Sequence, residues 1–331
     1  MKLNAEGFSN KNVIISGGLG FIGSNLAIKL VDCGAVVTII DSLIPEYGGN
    51  LWNIEPVKDK VKINISDVRD EHSIQHLIQG QDYFFNLAGQ TSHLDSMNNP
   101  FIDLEINSKA QLSILEACKK YNPGIRIIFA STRQLYGKPQ YLPVDEKHPL
   151  FPVDVNGINK LSGEWYHIVY NNIYDIKTSI LRLTNTFGPR MRIKDARQTF
   201  LGIWIKNLIE DKPITIYGDG SQIRDYNYID DVVDAFLTVA ASDQCNGSIF
   251  NLGNDQPISL LTTAELMIEE NHAGNYDFKP FPSDLKKIDI GDFYSDFSKI
   301  KNILGWSPQV SIRDGMKETI DYFRNNYQHY I

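Results

Sequence analysis

The sequence has few cysteines and no long apolar run. Its three cysteines, Cys33, Cys118 and Cys245, are widely separated and lack the spacing of zinc ligands, so we assign them no chemical role and predict no metal site. No stretch approaches the roughly 20 apolar residues that cross a bilayer. The first ten residues also lack the apolar segment of a signal peptide. We therefore expect a cytoplasmic protein that has no membrane partner.

The sequence also lacks a surplus of positive charge. Lysine and arginine number 32 against 40 aspartates and glutamates, which gives a net charge of −8 at pH 7. This balance argues against a general nucleic-acid surface, although a local basic pocket is compatible with it. The chain does have an ordinary globular composition, with 42% apolar and 22% charged residues over 331 positions, which is enough for two lobes.

The most informative pattern is a strand, turn, helix and second strand between Lys11 and Asp41. An apolar run around Ile14 predicts a buried parallel strand, and apolar residues at helical spacing follow the turn. Glycines in the turn permit a sharp bend, close approach of a pyrophosphate and tight packing of the helix. The helix N-terminus would direct its N–H groups at the phosphates. We expect this phosphate site to comprise Gly17, Gly20, Phe21, Ile22 and Gly23.

Asp41, at the end of the second strand, predicts which dinucleotide binds. Its carboxylate can accept hydrogen bonds from both ribose hydroxyls but would repel a 2′-phosphate, so we predict NAD rather than NADP. Asp67 and Val68 follow the third strand and are placed to reach the adenine, although Asp67 could equally cap the next helix. An ordinary glycine turn in an α/β core is the alternative interpretation of the whole pattern.

The remaining strands and helices predict a doubly wound sheet. Strands near 83–87, 125–130 and 178–183 alternate with helices near 101–121 and 160–171, which is typical of a Rossmann-type parallel sheet with a smaller mixed α/β lobe. We expect a dinucleotide-binding domain of residues 1–183 with returning segments at about 225–255. Residues 184–224 and 256–331 would form the second lobe. The fourth strand leads to Leu87, Ala88 and Gly89, and the near absence of side chains at Ala88 and Gly89 leaves room for a nicotinamide ribose.

With these elements in order, the sequence resembles the extended short-chain dehydrogenase/reductase family, which contains nucleotide-sugar epimerases and dehydratases. The resemblance covers nearly the whole chain. It rests on GGLGFIG (17–23), DVRD (67–70), NLAG (86–89), EIN (105–107), STRQLYG (131–137), RLTNTFGPR (182–190), YGDGSQIRDYNYIDDVVDA (217–235), FNLG (250–253) and LGWSP (304–308). Residues 88–101, AGQTSHLDSMNNPF, are most similar to the branch that contains CDP-tyvelose 2-epimerase.

The resemblance implies a reaction in which a sugar hydroxyl of a nucleotide sugar is oxidised with NAD and the hydride later returns. The family uses a hydroxyl residue, a tyrosine and a lysine; Thr132 and Lys160 match two of them, and Lys160 would also hold the nicotinamide ribose. Asn156 stands where the tyrosine is expected, and an amide cannot act as a base. Arg133 and Gln134 stand where 4,6-dehydratases have an Asp-Glu pair, which disfavours dehydration.

The missing tyrosine leaves three interpretations open. Another side chain supplies the base, the substrate or a Thr132–water relay does so, or the protein binds nucleotide sugars without turnover. The candidate bases are His93, Asp95, Tyr136 and Tyr166. Histidine suits proton transfer near neutral pH, and the loop that contains His93 should face the nicotinamide. We favour an NDP-sugar epimerase that acts through a keto sugar, with a dehydratase, decarboxylase or dehydrogenase of the same substrate class as the alternative.

Loop arginines in the second half of the chain are candidate partners for the substrate diphosphate. They are Arg190, Arg192, Arg197 and Arg224, and each could instead pair with a nearby acid. By resemblance, Asn185 would contact the sugar or the diphosphate, and Arg224 the diphosphate and ribose. The resemblance also implies a homodimer formed through the helices near 101–121 and 160–171.

Overall fold

A seven-stranded parallel sheet dominates the computed structural model, which describes residues 5–331. The strands of the chain are β1 (Asn12–Ser16), β2 (Val36–Asp41), β3 (Val61–Ile65), β4 (Tyr83–Asn86), β5 (Arg126–Thr132), β6 (Lys177–Leu183), β7 (Asn185–Phe187), β8 (Ile214–Tyr217), β9 (Ile223–Arg224), β10 (Tyr226–Tyr228), β11 (Ser248–Asn251), β12 (Ile258–Ser259) and β13 (Tyr276–Lys279). The large sheet has the order β11-β6-β5-β4-β1-β2-β3. Its order reverses between β1 and β4, which opens a crevice at the carboxyl ends of these strands.

Helices cover both faces of this sheet. The helices of the described chain are α1 (Phe21–Asp32), α2 (Glu71–Leu77), α3 (His93–Asn98), α4 (Pro100–Leu104), α5 (Ala110–Tyr121), α6 (Val155–Tyr174), α7 (Phe200–Ile209), α8 (Ile229–Ala240), α9 (Leu260–Asn271), α10 (Ser283–Ile288), α11 (Ser298–Leu304) and α12 (Ile312–Asn326). None of the described helices is long and apolar enough to cross a membrane.

The alternating direction of the side chains along β1 explains why helices pack in two layers, one on each face of the sheet. Ile15 belongs to the apolar cluster that contains α1 and α8, whereas its neighbour Ile14 belongs to the cluster that contains α2, α5 and α6. Successive side chains of a strand point to opposite faces of the sheet, so a run of consecutive apolar residues places buried side chains on both faces. The predicted Rossmann-type α/β fold is therefore confirmed.

Outside the large sheet the chain forms smaller pieces. Three two-stranded sheets pair β7 with β10, β9 with β12 and β8 with β13. The final helix, α12, buries Met316, Ile320 and Phe323 in the core, as its apolar spacing predicts. The late strand β11 joins the edge of the large sheet beside β6. The boundaries between the two lobes stay a prediction.

The single helix expected near 101–121 is interrupted in the structure. A π-helical segment, Glu105–Lys109, separates α4 from α5. This wider turn is invisible to a search for apolar residues at regular helical spacing, because it changes the hydrogen-bonding step without changing the composition. The predicted helical segment is therefore present, and it contains a π-helical turn that the apolar spacing did not indicate.

The turn between β1 and α1 depends on its glycines. Gly17 has a φ of +70°, a backbone conformation that L-residues with a side chain rarely adopt. A Cβ atom on Gly23 would lie only 2.2 Å from the carbonyl oxygen of Gly17. Any side chain at Gly23 would therefore push α1 away from the turn.

We expect Gly23→Ala to lower the free energy of unfolding by about 1–3 kcal/mol, since the added methyl group has no space in the turn. Urea denaturation would measure this loss. Gly124→Ala is a suitable control, because a Cβ at that position meets nothing within 4 Å. Equal losses in the two variants would contradict the steric explanation.

Candidate functional site

A cavity of about 670 Å³ lies at the carboxyl ends of the central strands. All the residues predicted to bind the cofactor line it, and they are Gly17, Gly20, Phe21, Ile22, Gly23, Asp41, Asp67, Val68, Leu87, Ala88, Gly89 and Lys160. Thr132, Asn156, His93 and Asn185 line the same cavity. One continuous space therefore joins the phosphate-binding turn to the predicted catalytic groups.

The dinucleotide end of the cavity has a backbone cradle and a fixed carboxylate. α1 begins at Phe21, so its free N–H groups face the cavity beside the glycine turn. Asp41 is 8% exposed and accepts hydrogen bonds from the backbone N–H groups of Leu19 (2.9 Å) and Leu43 (2.8 Å). Burial raises the pKa of Asp41, although these two hydrogen bonds oppose the change. The arrangement fits a dinucleotide whose ribose lies against Asp41.

Asp67, which is predicted to reach the adenine, lines the same cavity. The side chain of Arg69 donates to both of its carboxylate oxygens, at 3.0 and 2.7 Å. Mainly because of these hydrogen bonds, the pKa of Asp67 lies below its usual value. The N-terminus of α2 is capped instead by Asp70, which accepts from the backbone N–H groups of His72 and Ser73. The alternative role of Asp67 as the helix cap is therefore wrong.

Thr132 and Lys160 lie at the end of β5 and in α6, on one wall of the cavity. The ammonium of Lys160 donates a hydrogen bond to the carbonyl oxygen of Ala130 at 3.0 Å. Burial lowers the pKa of Lys160 to about 8, although Asp103 and Glu164 favour its charged form. The hydroxyl oxygen of Thr132 accepts from the backbone N–H of Gln134 at 3.2 Å. Its proton can therefore be donated to a ligand.

Asn156 is fixed in the first turn of α6. Its amide nitrogen donates to the carbonyl oxygen of Gln90 at 2.8 Å and to Asp103 Oδ2 at 3.1 Å. Its backbone N–H donates to the hydroxyl of Ser96 at 3.2 Å. Both side-chain donors are therefore engaged by the protein, and an amide supplies no proton acceptor for a sugar hydroxyl near neutral pH.

His93 opens α3 and contacts a buried carboxylate. Its Nδ1 atom lies 3.0 Å from Asp154 Oδ2, and the Asp154 side chain is fully buried while that of His93 is 37% exposed. Asp154 also accepts from the backbone N–H of Gly157 and from the side-chain amide of Gln134. Burial opposes ionisation of Asp154, but its contacts with His93 and these donors hold its pKa below the usual value. The structure thus forms a histidine–aspartate pair at the cavity wall.

Sequence reasoning missed Asp154. The residue is the N-cap of α6 and lies far from His93 in the chain. An aspartate directly before an apolar helical pattern is a recognisable start signal. That signal could have identified the cap, but the contact with His93 depends on the tertiary fold.

The other candidate bases differ from His93 in their surroundings. Asp95 lines the cavity, but its Oδ2 atom lies 3.4 Å from Arg197 Nε. The Tyr136 hydroxyl donates to Asn251 and accepts from Arg182, and burial raises its pKa to about 12. Tyr166 packs against an apolar cluster and is not among the lining residues. His93 is therefore the best-placed candidate.

The expectation that four arginines converge on the cavity is corrected. Arg197 lines it, whereas Arg190, Arg192 and Arg224 do not. Arg190 donates to the carbonyl oxygen of Asn53 and to Asn25 Oδ1. Arg192 pairs with Asp195 and donates to the carbonyl oxygen of Pro45, while Arg224 donates to two backbone carbonyl oxygens and lies 3.4 Å from Asp289. These three guanidinium groups tie backbone segments together.

Arg133 is a lining residue whose chemical role sequence reasoning left unassigned. It directly follows Thr132 and begins a short 3₁₀ turn, Arg133–Tyr136. The neighbouring Gln134 is buried and bonded to Asp154, and it does not line the cavity. Across residues 5–331 no cluster of three or more histidine, cysteine or acidic side chains is arranged to hold a metal ion.

Comparisons with known proteins agree with this geometry. A family model described as GDP-mannose 4,6 dehydratase matches residues 14–319. The UDP-glucose 4-epimerase of Mycolicibacterium smegmatis is 30% identical over 318 residues, which cover 95% of this chain and 99% of that protein. The CDP-paratose 2-epimerase of Salmonella typhi is 29% identical over 343 residues, which cover 94% and 98% of the two chains.

A solved structure has the same fold over almost the whole length. It is the UDP-glucuronic acid 4-epimerase of Bacillus cereus in complex with UDP-glucuronic acid and NAD. The TM-score is 0.84 at 28% sequence identity, and the match covers 96% of this chain and 100% of that chain. The resemblance inferred from the sequence motifs is therefore confirmed at the level of the family and the fold.

The buried ammonium of Lys160 should make stability depend on pH. Because its pKa falls from 10.5 to about 8 on folding, the unfolded chain binds more protons than the folded protein between these values. The free energy of unfolding should therefore gain a rising contribution from about pH 8 to pH 10.5. We expect Lys160→Met to remove that rise, measured as the change in urea midpoint between pH 8 and pH 10.

The matched control for this measurement is Lys62→Met, which changes an exposed lysine of β3. The control should keep the pH-dependent rise of the original protein. If Lys160→Met also keeps the full rise, burial of the Lys160 ammonium is not its cause.

Proposed function

The chain belongs to the GDP-mannose 4,6-dehydratase family, and on this basis we propose that it is an NAD-dependent NDP-sugar epimerase that acts through a transient keto sugar. The observation that carries the proposal is the single cavity that joins the glycine turn to Thr132, Lys160 and His93. A protein that only bound nucleotide sugars would not need a buried lysine and a free hydroxyl at this point. Relatives with epimerase activity support the same assignment.

NAD fits the cradle described above. The turn around Gly17 offers bare backbone to a pyrophosphate, and Asp41 offers a carboxylate to the ribose hydroxyls but not to a 2′-phosphate. The Bacillus cereus relative contains NAD in its structure. When bound, NAD accepts a hydride from a sugar carbon and later returns it.

The protein must remove the proton of the hydroxyl that is oxidised. We assign this task to His93, whose Nδ1 atom lies 3.0 Å from Asp154 Oδ2 and whose Nε2 atom would be the proton acceptor when Nδ1 carries the proton. Asp154 would hold the imidazole in that orientation. Thr132 would donate a hydrogen bond to the reacting oxygen, and Lys160 would hold the nicotinamide ribose.

An epimerase fits the cavity better than a dehydratase. Elimination of water needs groups that give and take protons beside the reacting carbon. Arg133 remains protonated and Gln134 does not titrate, and Gln134 is turned away toward Asp154. Arg197 and Asn185 also line the cavity, and we propose that they bind the substrate diphosphate, although Arg197 Nε lies 3.4 Å from Asp95 and the Asn185 amide donates to the carbonyl oxygen of Asp225 at 3.0 Å.

An exposed apolar surface on α3–α6 supports the proposed homodimer. We define this helical apolar surface by Met97, Phe101, Leu104, Leu112, Ile158, Trp165, Val169 and Ile173. Phe101, Trp165 and Ile173 are 75%, 56% and 66% exposed. Large apolar side chains on neighbouring helices favour association, and the resemblance stated above implies a dimer through the same helices. We propose that a second copy of the chain covers this surface, and we expect the protein to be cytoplasmic.

The test of the proposed function is a single-turnover assay with the purified protein and CDP-, UDP-, GDP- and dTDP-sugars. We expect a transient NADH absorbance band and an epimerised sugar in the NMR spectrum of the product. His93→Gln should lower the turnover rate by about 10²- to 10⁴-fold, the usual contribution of a general base, while nucleoside diphosphate binding is retained.

The control for the His93 variant is His72→Gln, which changes an exposed histidine on α2. It should leave the turnover rate unchanged. Binding of a nucleotide sugar without the band, without epimerisation and without deuterium exchange would overturn the epimerase proposal and favour a binding protein. An active His93→Gln would reject only the assignment of the base.

We expect Trp165→Glu to convert the dimer to a monomer, since a buried interface cannot solvate the new carboxylate. Sedimentation velocity would measure the change. Phe278→Glu, which replaces an aromatic residue of similar exposure on β13, should leave the dimer intact. A monomeric parent protein would refute the dimer.

A further inference from the structure

Arg133 presents an unpaired guanidinium to the cavity. Its Nε atom is buried and, within the described part of the chain, has no hydrogen-bond partner. No carboxylate oxygen of residues 5–331 lies within 4.0 Å of its guanidinium nitrogen atoms. The ring of Phe293 lies 5.6 Å from its Cζ atom and packs against the guanidinium.

Other arginines with little exposure have counter-charges or carbonyl partners. Arg182 pairs with Glu164 at 2.7 Å, and Arg224 donates to carbonyl oxygens and lies beside Asp289. Arg133 lacks both kinds of partner within the described residues, and burial together with the nearby charge of Arg224 lowers its pKa to about 10, although the charges of Asp225 and Asp289 oppose this change. A desolvated cation of this kind is costly unless an anion binds it.

Asp225 is a buried acid whose charge acts on Arg133 without forming an ion pair with it. Asp225 is fully buried, and its Oδ2 atom accepts from the backbone N–H of Ser295 at 3.0 Å. Burial raises the pKa of Asp225 to about 7, although this hydrogen bond and the charges of Arg133 and Arg224 oppose the change. An anionic ligand in the cavity would therefore supply the ion pair that Arg133 lacks.

We propose that Arg133 binds a carboxylate on the sugar, so that the substrate is a nucleotide-linked sugar acid. This inference rests on the proposed function, because it assumes that the sugar lies beside Thr132. Arg133 is the next residue after Thr132, which places its backbone at the reacting end of the cavity. Its planar guanidinium matches a carboxylate through two parallel hydrogen bonds.

The diphosphate has other partners in the same cavity. Arg197 and Asn185 come from the segments that follow β6, on the side of the second lobe. With the diphosphate bound there, a neutral sugar would leave Arg133 desolvated and unpaired. The sugar acid should therefore bind more tightly than its neutral counterpart, by about 10- to 100-fold for one charge-assisted pair.

The inference can be tested with pairs of nucleotide sugars that differ only in a carboxylate in place of a hydroxymethyl group. Suitable pairs are UDP-glucuronic acid with UDP-glucose, GDP-mannuronic acid with GDP-mannose, and dTDP-glucuronic acid with dTDP-glucose. Calorimetric titration of the NAD-loaded protein would give the dissociation constant for each member, and for UDP, GDP and dTDP alone.

We expect the parent protein to bind the sugar acid of one pair more tightly than the neutral sugar. Arg133→Gln should abolish that preference, while its affinity for the nucleoside diphosphate alone changes less than about twofold. Arg133→Lys should keep part of the preference, because charge remains while the paired geometry is lost. Arg313→Gln is the control, since Arg313 is half exposed and pairs with Glu269 and Glu270 on the surface.

Two results would overturn the assignment. If Arg133→Gln weakens binding of the nucleoside diphosphate as much as binding of the sugar acid, Arg133 binds the diphosphate. If acid and neutral sugars bind equally to the parent protein, no carboxylate is recognised. Failure of every pair and of every nucleoside diphosphate to bind would instead overturn the proposed function, and this inference with it.

Discussion

The close approach of the segments that follow β1 and β4 is the constraint on which the site depends. The hydroxyl oxygen of Ser16 accepts from the backbone N–H groups of Leu87 and Ala88, at 3.1 and 3.2 Å. A Cβ on Gly17 would meet the Ala88 nitrogen at 3.0 Å. These contacts join the strands on the two sides of the point where the sheet order reverses. The crevice, the start of α1 and the path to the cavity all follow from that junction.

A buried polar network around Asn156 keeps one wall of the cavity in place. Asp103 accepts from the side chains of Asn156 and Asn159, and Gln90 accepts from Asn156 and Asn107 through its carbonyl oxygen. Such a network is stable because its amide donors have acceptors. Asn156 therefore serves the architecture of the wall, and the proton acceptor that we propose, His93, lies on a different element.

Local sequence patterns predicted the fold well, but they predicted the partners of the charged side chains poorly. The apolar run of β1, the glycine turn and Asp41 are close in sequence, and all lie where their spacing placed them. The partners of Arg190 and Arg224 could not be predicted in the same way, because they belong to segments that only the folded chain brings together. The same reason hid the contact of His93 with Asp154. Sequence spacing identifies which groups are available, whereas tertiary contacts decide which of them remain free.

The π-helical segment Glu105–Lys109 affects which side chains of the long helix formed by α4 and α5 face the core and which face outward. Each residue of an α-helix rotates the chain by roughly 100°, so a locally wider turn changes the direction in which all later side chains of the helix point. Before the π-helical segment, Asp103 points into the buried network while Phe101 faces outward. After the segment, Ile114 enters the core and Leu112 faces outward. Removal of one residue here would rotate α5 against α4 and misalign their outward faces. Insertions and deletions should therefore be tolerated much less in this segment than in the surface loops.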